Sequence, residues 1–173
     1  GTFSRRLDPW RGTPTGGMIQ DYYATNRSND FARGWTIIVS SRSHWPLAMA
    51  SRVPGWGAEH KRRLQEVFAH SVCVASIGEQ LPSLGNHVTL DPTEKDSFGL
   101  PVPCLVNEPR ANDRAMIKAI SASLKVMLEA AGATTILENE QEPGTSSHYI
   151  GTCRMGSDPS NSVVDPWGRT HDV

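Results

Sequence analysis

The run DRAMIKAISASLKVMLEAA, residues 113–131, decides the fold class. Met116, Ile117, Ile120, Leu124, Met127 and Leu128 recur at the spacing of one helix face. The run therefore predicts an amphipathic helix whose apolar stripe must be covered by something else. Asn112 is placed to cap its start, and Gly132 to close it in a left-handed turn.

Reading outward from that helix, the candidates for its cover are strands. WTIIV at 35–39 and VCVASI at 72–77 are aromatic and β-branched, the composition of buried strands. Between them, residues 57–70 carry Leu64, Val67 and Phe68 at helical spacing, with Lys61, Arg62 and Arg63 on a solvated face. Residues 87–91 and 101–106 alternate in period two around a segment containing Pro92 and Gly99, which predicts a hairpin. Pro101 and Pro103 lack amide protons and push its second strand to an edge. TTIL at 134–137 reads as a short returning strand.

No βαβ unit repeats, so the expected fold is α+β, a mainly antiparallel sheet within 35–138 with helices packed on one face. Residues 1–34 hold Pro9, Gly12, Pro14, Gly16, Gly17 and Gly34 with little periodicity, and read as an irregular excursion. From residue 148 the chain turns loop-like, rich in Gly, Pro and polar residues, a mixture that often carries sites. The expected division is an excursion at 1–34, an α+β substrate-binding domain at 35–147, and the start of a catalytic segment at 148–173.

Composition narrows the function classes. With 173 residues and 38% apolar content the chain can bury a core. Seventeen basic against 18 acidic residues leave a net charge of -1, which argues against nucleic acid, an anionic membrane or a polyanion as partner. No apolar run approaches the ~18 residues of a membrane span. Cys73, Cys104 and Cys153 are odd in number and scattered, which fits neither a disulfide framework nor zinc knuckles. The sequon at Asn26 reads as a chance match. Gly1 in place of Met places the natural start elsewhere, as an expectation.

Several chemistries can be weighed from residue type and order. Gly55-Trp56-Gly57-Ala58-Glu59-His60 lacks the third glycine of a dinucleotide fingerprint and follows no predicted strand. Gly144-Thr145-Ser146-Ser147-His148 resembles a nucleophile elbow only until its last position, which should be glycine. His148, Cys153 and His171 have none of the compact spacings of a metal site, so no metal is expected. His148 alone would read as a surface or core histidine, but an imidazole titrates near neutrality and suits proton transfer.

Context raises His148 above that reading. The stretch H-Y-I-G-T-C-R-M-G at 148–156, followed by D-P at 158–159 and S-V-V-D-P-W-G-R-T-H-D-V at 162–173, closely resembles the C-terminal signature of glucose-methanol-choline oxidoreductases, H-x-x-G-T-x-R-M-G. NHVTLDPTEKDSFGLPVP at 86–103 and NDRAM at 112–116 match the stretch that precedes that signature. The resemblance covers 72–173 specifically and 1–71 more loosely. GTPTGG at 12–17 and RGWTIIV at 33–39 are similar to members that oxidise polyols, sugar acids or similar alcohols.

The resemblance implies FAD as cofactor, a small-molecule alcohol as substrate, hydride transfer to the flavin and proton transfer to His148. It implies that Gly151 and Thr152 let the backbone pass close to the cofactor. Arg154, read from its chemistry, is expected to form a structural ion pair with a carboxylate such as Asp158 or Asp165. The irregular C-terminal segment would then belong against an FAD-binding domain. That domain's Gly-rich strand-turn-helix is not in this chain, nor is the family's second active-site His or Asn. An internal segment of a longer enzyme is therefore expected. The resemblance leaves the electron acceptor open among oxygen, a quinone and a cytochrome. Two alternatives stand beside oxidation: a flavin-containing lyase that cleaves cyanohydrins on the same fold, and a non-catalytic binding module.

Overall fold

The computed structural model describes residues 1–8, 11–13, 15–40, 46–51, 53–138, 148 and 150–172. The chain forms two compact units. The first comprises Gly1–Leu81 and Pro109–Glu140, and the second Pro82–Glu108 and Gln141–Val173.

In the first unit, strands β1 (Thr15–Ile19), β2 (Trp35–Ser40) and β3 (Val74–Gly78) form an antiparallel sheet in that order. Two helices, α1 (Pro46–Ala50) and α2 (Gly57–Ala69), lie between β2 and β3 in sequence. Alternation along β2 sends Trp35 and Ile37 to one face, where they pack with Phe31 and Met116, and Ile37 is only 1% exposed. Trp35 stacks on Tyr22 with ring centroids 4.9 Å apart. Gly34 is required just before it, because a Cβ there would strike the backbone carbonyls of Tyr22 and Tyr23.

The long amphipathic run forms the helix α3 (Ala111–Ala130). Met116, Ala119, Ile120 and Leu124 turn to the sheet's core, and Gly78 leaves room for Met116 and Ile120 on β3. Ile117, expected in the stripe, is 40% exposed instead, because it sits on the shoulder of the helix beside buried Met116. The cap also differs from expectation. Arg110 is the residue before the first turn, and its backbone N–H donates to the Asp113 carboxylate at 2.8 Å. Asn112 lies inside the helix and ties Ala32 at both ends, accepting from its N–H at 2.7 Å and donating to its carbonyl at 3.3 Å. Gly132 closes the helix as expected, with φ +88 and its N–H on the Glu129 carbonyl.

Segment 1–34 is not wholly irregular. β1 pairs along β2, where edge hydrogen bonds outweigh the low strand propensity of Gly16 and Gly17. Residues 134–137 do not form a strand. Thr135 makes an isolated bridge with Thr2, and Leu137 is 64% exposed. The basic triplet of α2 is solvated as expected, with Arg62 paired to Glu66 and Arg63 to Glu59 one turn apart.

In the second unit, β4 (His87–Lys95) and β5 (Pro101–Val106) form the expected hairpin, but as a separate two-stranded sheet instead of part of a single sheet within 35–138. The Asp91 side chain bends β4 where the register shifts, accepting from Thr93 N–H, Thr93 Oγ1 and Glu94 N–H at 2.8–3.0 Å. Those bonds hold the Asp91 carboxyl below the usual carboxylate range, the backbone N–H of Glu94 contributing most. The fold class is α+β. Among the described residues, no helix is long and apolar enough to cross a membrane.

Candidate functional site

The segment that follows His148 is built from turns and single bridges, not from regular elements. His148 is exposed, as are Ile150, Thr152 and Cys153. Gly151 has φ +80, a conformation that side chains disfavour, and a Cβ there would meet only Pro82 at an ordinary 3.7 Å. Glycine is thus called for by its backbone angle and not by lack of space. Tyr149 and residues 144–147 lie outside the described residues.

Beyond Thr152 the chain is tied down. The Arg154 carbonyl accepts from Val163 N–H at 2.8 Å, and Gly156 N–H donates to the Val164 carbonyl at 2.9 Å. Met155 bridges Val164 in parallel, and Val164 bridges Thr170 antiparallel, so three short pieces lie side by side. The connection from 165 to 168 is D-P-W-G, with Asp first, Pro second and Gly last, the order a tight turn prefers. Asp165 Oδ1 accepts from Trp167 N–H at 2.8 Å and Arg169 N–H at 3.0 Å, and Arg169 also pairs with Asp165 Oδ2 at 3.2 Å.

That pairing corrects one expectation. Asp165 is taken by Arg169, whose guanidinium also lies 5.5 Å from the Trp167 ring centroid, and among the described residues Arg154 makes no ion pair. Asp158 is likewise occupied by its own loop. Its carboxylate accepts from Ser160 N–H at 2.9 Å and Asn161 Nδ2 at 3.2 Å. Bonds from Ser160 hold its carboxyl below the usual range, and the charge of His171 acts in the same direction.

Sequence order singled out His171 only as a remote metal ligand. The structure brings it to Ser162 instead, with Nε2 2.9 Å from Oγ. Among the described residues no group of three or more His, Cys, Asp or Glu side chains is placed to hold a metal. Two clefts lie in the first unit, one lined by residues such as Trp56, Glu59 and His60, the other by Phe3, Val67 and His70, and neither includes His148. Gly55-Trp56-Gly57 opens α2 shortly after α1, so the glycine pair follows a helix and not a strand.

Comparison with known proteins bears on the same stretch. The family model described as GMC oxidoreductase matches residues 82–173, more than half of the chain. The chain belongs to the GMC oxidoreductase family. It is 35% identical over 161 residues to 2-methyl-1,2-propanediol dehydrogenase of Mycolicibacterium austroafricanum, covering 88% of this chain and 29% of that protein. It is 34% identical over 171 residues to the fructose dehydrogenase large subunit of Gluconobacter japonicus, covering 94% and 30%. It is 25% identical over 181 residues to the gluconate 2-dehydrogenase flavoprotein of Pantoea cypripedii, covering 96% and 29%. This GMC chain thus spans under a third of the length of these relatives.

Proposed function

We propose that this chain is the substrate-side and catalytic portion of an FAD-dependent oxidoreductase acting on CH–OH groups of small alcohols, polyols or sugars, with His148 as its acid–base residue. The observation that carries the reading is an exposed imidazole opening the H-x-x-G-T-x-R-M-G segment inside the family-matched stretch. Relatives named for a propanediol, fructose and gluconate, the last of them as a flavoprotein, support the substrate class and the flavin. In this reading residues 35–147 bind substrate and 148–173 begin the catalytic segment.

The residues present fit the reactive end of a flavin and not its phosphate end. Gly151 offers bare backbone in a left-handed conformation, and Thr152 is exposed beside it, so these two would line the cofactor. The glycine pair at the start of α2 lacks the preceding strand of a dinucleotide cradle. Activity is accordingly assigned to the intact protein. When bound, FAD supplies the hydride acceptor. His148 accepts the proton of the substrate hydroxyl, which leaves the carbon's hydride free to depart. Its exposure gives substrate a path to the imidazole, and the turn at Gly151 aims the following backbone.

In the intact protein, His148→Ala is expected to slow anaerobic reduction of the bound flavin by alcohol about a hundredfold or more, since general acid–base groups contribute ~10² to 10⁴. Flavin content, read from absorbance of the same sample, should not change. A variant that reduces its flavin at the wild-type rate returns His148 to the class of polar loop histidines. A wild-type protein whose flavin stays yellow under substrate points to the lyase reading.

A further inference from the structure

We infer that Phe98 and Trp167 are preorganised anchors that seat the second unit in apolar pockets of the rest of its own polypeptide, the part that the relatives carry beyond this stretch. The inference rests on the reading of this chain as one portion of a longer enzyme and makes no use of His148.

The observation is one turn built twice. Residues 96–99 read D-S-F-G and residues 165–168 read D-P-W-G. Asp96 Oδ1 accepts from the N–H groups of Phe98 and Leu100, both at 2.9 Å. Asp165 Oδ1 accepts in the same way from Trp167 at 2.8 Å and Arg169 at 3.0 Å. Each aspartate carbonyl accepts from the glycine of its turn, at 3.1 Å for Gly99 and 3.0 Å for Gly168. Each aspartate N–H then closes the loop, on the Leu100 carbonyl at 2.9 Å and the Arg169 carbonyl at 2.7 Å. The glycines match too, with φ +83 and +81.

These bonds account for the aspartate and the glycine, and none of them calls for an aromatic ring at the third position. Yet that position holds Phe98, 88% exposed, and Trp167, 77% exposed. A large ring on a backbone that is already fixed loses little freedom when it docks. Buried aromatic anchors of that kind carry most of the energy of an interface.

What covers the rings follows from the unit that bears them. No apolar side chain described in the second unit is buried, so it lacks a core of its own and needs its cover whenever it is folded. A transient partner does not meet that need, whereas the same polypeptide does. The chain spans 29–30% of three relatives, so most of such a protein lies outside it. Charge narrows the surface further. In 82–108 and 141–173 eight acidic residues outnumber three basic ones, which disfavours an anionic membrane and favours pockets rimmed by Lys and Arg.

The test is hydroxyl-radical footprinting of the intact protein, read residue by residue by mass spectrometry. Phe98 and Trp167 should lose most of the reactivity they show in the denaturant-unfolded protein, at every protein concentration. Either ring reacting at its unfolded rate would overturn the inference. Protection that fades on dilution would assign the rings to a second copy, and protection that appears only with phosphatidylglycerol vesicles would assign them to a membrane; both outcomes overturn it as well. Phe98→Ala and Trp167→Ala should each speed amide exchange in β4 and β5 about tenfold, since anchors dominate interface energy, while β2 keeps its protection. Unchanged exchange in both variants would also defeat the assignment. Protected rings beside a full-rate His148→Ala would sink the acid–base residue and leave the anchors standing. Bare rings beside a slow His148→Ala would sink the anchors alone.

Discussion

The first unit of this GMC oxidoreductase chain is held by burial: Phe3, Phe31, Trp35, Ile37, Ala69, Met116 and Leu128 are all buried there, and no apolar side chain described in the second unit is. The second unit is held by carboxylates instead. Asp91, Asp96, Asp158 and Asp165 each accept at least two hydrogen bonds within their own turns. One face of its hairpin, with Val88 opposite Leu105 and Leu90 opposite Pro103, remains exposed. A two-stranded hairpin has little stability of its own. The contrast teaches that the unit carrying His148 is specified by turn geometry, whereas the other is specified by packing.

The contrast is most easily broken in the first unit, where the largest effect is expected. Ile37 is almost fully buried among Trp35, Phe31 and Met116, so Ile37→Ala should cost about 2–5 kcal/mol through lost burial and the cavity left behind. Denaturant unfolding of the intact protein reads this directly. A cost within ~0.5 kcal/mol, the range of ordinary surface changes, would mean that packing does not specify this unit after all.

Those two kinds of specification also explain what could be read beforehand. The α3 helix, β2 and the hairpin pairing were legible because periodicity and β-branched runs report burial and alternation directly. β1 was not, because Thr15–Ile19 contains two glycines and becomes a strand only by pairing along β2. The helix cap was misread because Asn112 has the right side chain but a tertiary partner, Ala32, claims it. His148, Gly151 and Thr152 are proposed as site residues from an ordered motif. The meeting of Ser162 and His171 was not legible, since it depends on how three loop pieces return past one another. The weak signal was Gly156, a glycine with no positive φ whose reason is a close neighbour.

A smaller effect sharpens the comparison from the other side. Asp165 organises the D-P-W-G turn through two backbone N–H groups and Arg169. Asp165→Ala should cost only about 1 kcal/mol, the usual net worth of such partly solvated bonds. Its signature is local: amide exchange at Trp167 and Arg169 should accelerate while exchange in β2 keeps its wild-type protection. Acceleration spread equally over both units would show that the turn supports the whole fold and that the two units are not distinct in kind.

The smallest effect is a titration. Asp91 is partly exposed, and its carboxyl is held below the usual range by hydrogen bonds from Glu94 N–H, Thr93 N–H and the Thr93 hydroxyl. All three donors favour the ionised form, so the native turn binds its proton less readily than an unfolded chain does. A depressed native value means the contribution is fully present above the unfolded carboxylate pKa and fades as pH falls through the lower native one. At neutral pH the turn is intact, and strongly acidic solution should loosen it without unfolding the buried core around Ile37. The backbone amide resonances of Thr93 and Glu94 should therefore titrate with a midpoint below that of an unstructured aspartate, and Asp91→Asn should abolish the transition. A midpoint at the ordinary aspartate value would show that these bonds do not discriminate between the two protonation states. The bend in β4 would then owe its shape to the hairpin's backbone pairing and not to its carboxylate.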